Sequence, residues 1–148
     1  MMKGAGRKIF KKIAKETPGA GLRVRLLKLI GITIGENTYI AEGLTIAESL
    51  ENPQSIVIGD RVAIGPEVIL ITSSHPNNSI LKEIYGVKEA GIIIHDDAWI
   101  GAGVIILPGS TIGSRAVIGA GAVVTKDIPD DTIYVGAIET GRLIKQKL

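Results

Sequence analysis

Histidine is scarce in this chain, and one of its two histidines stands where a base would be useful. His75 lies in the run ITSSHPNN, and Pro76 holds it extended, because a proline disfavours the helical region for the residue before it. An imidazole titrates near neutrality, so at a loop mouth it can take the proton of a hydroxyl or an amine as that group attacks an electrophile. Glu48 and Glu51 precede it as carboxylates able to bind an acceptor or to orient or polarise the ring, and Asn77, Asn78 and Tyr85 follow it with groups that hydrogen-bond an acceptor. Solvated corner or loop positions are the plainer reading of each. The second histidine, His95, reads as exposed and structural. Cysteine is absent, which removes thiolate nucleophiles, disulfides and cysteine metal sites and leaves the compartment open.

The element that must hold His75 emerges from a period of six. Aliphatic residues begin the hexads IGENTY (Ile34), IAEGLT (Ile40), IAESLE (Ile46), IGDRVA (Ile58), IGPEVI (Ile64) and LITSSH (Leu70). The same phase continues in IHDDAW (Ile94), IGAGVI (Ile100), ILPGST (Ile106), IGSRAV (Ile112), IGAGAV (Ile118) and VTKDIP (Val124). The fifth position is also apolar or small, as at Val62, Val68, Ser74, Ala98, Val104, Ala116 and Ala122. No helix of 3.6 residues per turn sustains that period, whereas short strands joined by tight corners do. Three hexads make a triangular coil, and the coils 34–51, 58–75, 94–111 and 112–129 stack about 4.8 Å apart into a solenoid.

Two segments interrupt the stack, 52–57 and 76–93, each a multiple of six and so extrudable without loss of register. The longer one leaves directly after His75, and a long loop on a rigid scaffold is a usual place for binding chemistry. With 52–57 extruded, Glu51 takes the corner of His75 one coil earlier. Residues 20–30 (AGLRVRLLKLI) read as an amphipathic helix covering the open N-terminal end, and GRLIKQKL as a short helix closing the other. The chain thus divides into a basic segment with its capping helix (1–31), a β-helix (32–129) and a terminal cap (130–148).

The run SSHPNN, the extruded loop and DDAWIGAGVIILPGSTIGSRAVIGAGAVVTKDIP resemble the galactoside and maltose O-acetyltransferase branch of the hexapeptide-repeat family. The resemblance covers about 32–129 and implies a left-handed parallel β-helix, all-β apart from its short terminal helices. It also implies a homotrimer with sites between subunits, acetyl-CoA as acyl donor, and direct transfer with His75 as the catalytic base. It assigns Trp99 to the slot for the pantetheine arm or the acceptor, and Ala102 to the main-chain amide that meets the thioester. Gly119 and Ala120 become backbone partners of pantetheine, while Thr125, Lys126, Arg142 and Lys145 meet the CoA phosphates. Serine is frequent in the family at the position of Ala102, and the chain lacks the Gly-x-Pro-Ala run usual before the last helix, reading Gly136, Ala137, Ile138, Glu139. Sugar recognition must differ too, since Ala41 replaces an asparagine that contacts the sugar in galactoside-type relatives. The three-histidine zinc site of γ-carbonic anhydrases on this fold does not fit two histidines so placed, and no metal is expected.

Composition bounds the alternatives. The 148 residues suffice for one domain, with 45% apolar and 22% charged residues. No apolar run is long enough to span a membrane, and the basic start lacks a secretory core, so a cytoplasmic protein is expected. Residues 1–30 hold nine basic groups against Glu16 alone, about +8, leaving about −6 for the rest of a chain whose net charge is +2. That segment suits either a solubilising tail or an amphipathic helix on an anionic membrane; nucleic acid is not expected, because no aromatic residues accompany the charge. An N-acetyltransferase on an amino sugar and a noncatalytic β-helix scaffold are the alternatives to the O-acetyltransferase reading.

Overall fold

The computed structural model describes residues 4–136 and the backbone of 142–145. Two helices come first, α1 (Gly4–Glu16) and α2 (Ala20–Leu29), separated at Pro18 and Gly19, whose φ is 87°. The first coil follows as β1 (Thr33–Ile34), β2 (Tyr39–Ile40) and β3 (Thr45–Ala47), and the second as β4 (Ile56–Ile58), β5 (Ala63–Ile64) and β6 (Ile69–Ile71). A hairpin then leaves the solenoid through β7 (Ser73–Ser74), α3 (Lys82–Tyr85) and β8 (Lys88–Glu89). Coil three is β9 (Ile92–Ile94), β10 (Trp99–Ile100) and β11 (Ile105–Ile106); coil four is β12 (Thr111–Ile112), β13 (Val117–Ile118) and β14 (Val123–Val124). Two further strands follow, β15 (Thr132–Val135) and β16 (Arg142–Lys145).

Parallel pairing between coils builds three faces: β1-β4-β9-β12, then β2-β5-β10-β13-β15 with β16 at its edge, then β3-β6-β11-β14. Register sets like on like, with Ile34, Ile58, Ile94 and Ile112 in one inward column and Ile40, Ile64, Ile100 and Ile118 in the next. Ile46, Leu70, Ile106 and Val124 form the third. These side chains are buried, each worth about 1.5–3 kcal/mol of transfer free energy, so the period-six pattern is the core. Ser74 departs from it, being exposed in the hairpin rather than turned inward.

The strands reach further into both interruptions than their length alone indicates. Ile56 and Ile92 pair with each other, so β4 and β9 reclaim residues expected in the loops, and the longer excursion is rooted at Ser73–Glu89. The last coil is short: Ile128 bridges to Ile112 and Tyr134 aligns with Ile118, so the coil closes at Asp127 rather than Pro129. No helix forms at 142–145. The strand there runs antiparallel to β15 and satisfies an edge that a helix would leave bare.

At the other end, stacking polarity leaves the first coil with unmatched groups. In later coils the column carbonyls accept from the preceding coil, as Ile94 O does from Gly59 N–H and Ile100 O from Gly65 N–H. For the first coil the helices substitute. Arg23 Nη1 donates to Ile40 O at 2.6 Å, Lys11 Nζ to Ile46 O at 3.3 Å, and Gly43 N–H donates to Lys15 O at 3.1 Å. Arg23 is buried and also donates to the carbonyls of Ala14 and Thr17. Much of the basic segment is therefore a folded cap, not a tail.

Coil spacing is enforced at the corners. A Cβ on Gly101 would lie 2.5 Å from the backbone N of Ala120 in the next coil. Gly101→Ala is expected to cost about 1–3 kcal/mol by pushing those coils apart. Urea unfolding reads this directly, and an unmoved midpoint would contradict such close stacking.

Candidate active site

The corner that follows the third face carries His75. Thr72 N–H still bonds to Ala47 O at 2.8 Å within the solenoid, and Ser73 and Ser74 then pair with Glu89 and Lys88, leaving His75 as the first residue past the paired stem. Its ring is exposed, and Nδ1 accepts from Asn77 N–H at 3.3 Å. A cavity of about 310 Å³ on this side is lined by Glu51, His75, Asn77, Lys82 and Glu89, among others. A second, of about 320 Å³, lies between His75, Pro76, Tyr85 and Lys88. The hairpin thus brings together His75, Glu51, Asn77 and Tyr85, three of them from one local segment and Glu51 from the coil before.

Glu48 is not among them. Its side chain is 0% exposed and is held by Arg7 Nε at 2.7 Å, Arg7 Nη2 at 2.9 Å and Lys11 Nζ at 2.8 Å, so it cannot contact an acceptor. The expectation of an acceptor-binding role is corrected for a physical reason: α1 lies over this coil, and the basic side chains that would otherwise be solvated turn onto the carboxylate. Burial pushes the Glu48 carboxyl up, but the bonds and charges of Arg7 and Lys11 outweigh it and hold it below the usual range.

Glu89 is the residue that sequence reasoning missed. It accepts from Asn52 Nδ2 at 2.6 Å and from Ser73 Oγ at 3.2 Å, tying the 52–57 interruption to the hairpin stem behind His75. Only the antiparallel pairing of Ser73 with Glu89 reveals it, and no motif marks that pairing in the sequence.

A different corner carries the other half. Trp99 points outward from the second face, 60% exposed, between Ala63 and Val117 in register. Two to four residues on, the chain turns through Gly101, Ala102 and Gly103, and one coil later through Gly119, Ala120 and Gly121. Ala102 and Ala120 stack there, with Gly121 N–H donating to Ala102 O at 2.8 Å. The first corner differs at this very position: Glu36, Asp60 and Ser114 N–H are each capped by an aspartate, Asp60, Asp96 and Asp130. Small residues at the second corner supply no such carboxylate, and among the described residues nothing accepts from the N–H of Ala102 or Ala120. The corner is a short row of outward amides beside an exposed indole, suited to an extended chain bearing carbonyl oxygens.

The two halves are not adjacent in one chain. The third face separates them, five or six residues wide, or roughly 15–20 Å at strand rise. Thr125 and Lys126 are exposed on the corner that carries His75, two coils further along. His95 lies on the first corner, apart from both halves. The backbone of Arg142 and Lys145 lies in β16, and their side chains lie outside the described residues.

Comparison with known proteins places the repeats among described families and folds. The family model "Bacterial transferase hexapeptide (six repeats)" matches residues 91–126. A galactoside O-acetyltransferase of Lactococcus lactis subsp. lactis is 36% identical over 116 residues, 77% of this chain and 55% of the relative. The Bacillus subtilis protein named "Putative acetyltransferase YvoF" is 32% identical over 129 residues, 84% of this chain and 68% of the relative. The hexapeptide-repeat acetyltransferase VCA0836 of Vibrio cholerae superposes with a TM-score of 0.74 at 27% identity, over 95% of this chain and 88% of that one, and its acetyl-CoA complex superposes with a TM-score of 0.71. The chain spans about half the length of the first curated relatives, 55%, 40% and 50%.

Proposed function

The chain belongs to the bacterial hexapeptide transferases, a left-handed β-helix family, and from that premise we propose that it is a cytoplasmic O-acetyltransferase carrying acetyl from acetyl-CoA to a hydroxyl of a saccharide. The observation that carries the reading is His75 at the mouth of a polar cavity with Glu51 and Asn77 on its walls. Hydroxyl-rich acceptors match such a lining, where carboxylate, amide and ammonium groups all find partners.

In the proposed reaction, the acceptor hydroxyl enters the cavity and replaces the long bond from Asn77 N–H to Nδ1, the ring nitrogen that accepts. His75 removes the hydroxyl proton as the oxygen attacks the thioester carbonyl. An outward amide, Ala102 N–H, stabilises the oxyanion. Collapse breaks the C–S bond, and the imidazolium returns the proton to the leaving thiolate. Trp99 flanks the pantetheine arm, Gly119 and Ala120 meet its amides, and Thr125, Lys126, Arg142 and Lys145 meet the phosphates.

Because the second and third corners of one chain face apart, the second corner of one copy must meet the third corner of another. A closed homotrimer does this three times over with one repeated interface. Calorimetric titration with CoA, with the oligomeric mass read in the same buffer, tests the reading without guessing the acceptor. Saturable binding at about one CoA per chain by a trimer is expected. A well-folded protein that binds no CoA would instead be a scaffold. Hydroxyl and amine acceptors screened side by side then decide between O- and N-transfer.

A further inference from the structure

We propose that the outward faces of α1 and α2 form a docking surface for an anionic lipid bilayer. Each helix divides by side. Arg7 and Ala14 of α1 and Arg23 and Leu27 of α2 are buried against the solenoid end. The opposite turns expose Ile9 at 58%, Ile13 at 48%, Leu22 at 53% and Leu29 at 62%, four large aliphatics on a cap that already has an apolar underside. A shallow cavity of about 450 Å³ lies between Ile9, Ile13 and Pro18, with Lys12 and the one acidic residue of the segment, Glu16, also on its wall.

The charge on the same faces identifies the partner. Of the nine basic residues in 1–30, Arg7, Lys11 and Arg23 turn inward to Glu48 and to backbone carbonyls. Among the described residues Lys8, Lys12, Arg25 and Lys28 have no such task, and they are exposed beside the aliphatics. Leucine and isoleucine interleaved with cations fit the boundary between headgroups and acyl chains, where the aliphatics insert and the cations meet phosphate. A nucleic acid would call for stacking aromatics, which these faces lack. A second copy apposed cap to cap would set like charges together. Among the described residues no helix is long and apolar enough to cross a membrane, so the contact is one of surface lying.

The test uses the full chain and vesicles sedimented at low and high salt. Phosphatidylcholine vesicles with about 30 mol% phosphatidylglycerol should pull the protein down, and pure phosphatidylcholine should not. Lys8→Glu with Lys12→Glu, and separately Ile9→Ser with Ile13→Ser, should each weaken binding about tenfold or more, with CoA binding unchanged. Leu22→Ser with Leu29→Ser repeats the test on α2 should an α1 variant fail to fold. Equal pelleting with both lipids, no pelleting at all, or variants that bind like the parent would overturn the proposal. So would a change in oligomeric mass in the serine variants, which would make this face a contact between copies.

Discussion

His75→Ala should lower turnover by about a hundredfold or more while leaving CoA affinity and the unfolding midpoint near those of the parent. The exposure of the ring makes the fold indifferent to its loss, since among the described residues its one bond is the 3.3 Å contact from Asn77 N–H. No second imidazole can substitute, because His95 lies on another corner. Glu51 and Glu89 remain in the cavity, but Glu89 already accepts from Asn52 and Ser73. Steady-state rates beside a CoA titration separate chemistry from binding. Unchanged turnover in a folded, CoA-binding variant would remove His75 from the mechanism.

Glu48→Ala should be the most damaging change for stability. Its carboxylate is wholly enclosed beside Arg7 and Lys11, and its removal strands a buried guanidinium whose Nη1 has no partner among the described residues even in the intact protein. Breaking a buried pair from one side costs about 3–5 kcal/mol, on the order of 10 °C in midpoint for a chain of this size. Arg7→Leu in the same chain should restore part of the loss, because the orphaned charge is gone, and a double variant no better than the single would refute that account. The folded carboxyl titrates below its unfolded value, so the cap's stabilisation is full above the usual glutamate range. It is lost only as pH falls through the depressed folded value.

The solenoid was legible because its signal is local and repeated. Each isoleucine that opens a hexad meets its counterpart a whole number of hexads away, so phase alone fixed the columns from Ile34 to Ile118. Departures from that phase came from pairing that phase cannot encode: Ile56 with Ile92 at the roots of two interruptions, and Ile128 with Ile112 across a shortened corner, where Asp127 caps Thr111 N–H at 2.8 Å. The terminal strand took the place of an expected helix because β15 offered an edge. Glu48 was misread for the same reason at longer range, since its partner Arg7 is 41 positions away and no periodicity links them. Glu51 and His75 shared a corner by arithmetic and do line one cavity, whereas Glu89 needed the hairpin's pairing to be seen.

The way the first coil is covered bears on a hazard peculiar to this architecture. Stacked coils have a head and a tail, and a bare head offering carbonyls at Ile40 and Ile46 and a free amide at Gly43 is a template for the tail of another molecule. Left open at both ends, the chain would be the repeating unit of a fibril. Lys11, Lys15 and Arg23 occupy the head, and β16, reversed in direction, presents the wrong polarity at the tail. The ends, not the middle, therefore decide that growth stops. A duplicated 18-residue coil should lengthen the molecule without making it polymerise, whereas stripping α1 should turn a discrete assembly into filaments.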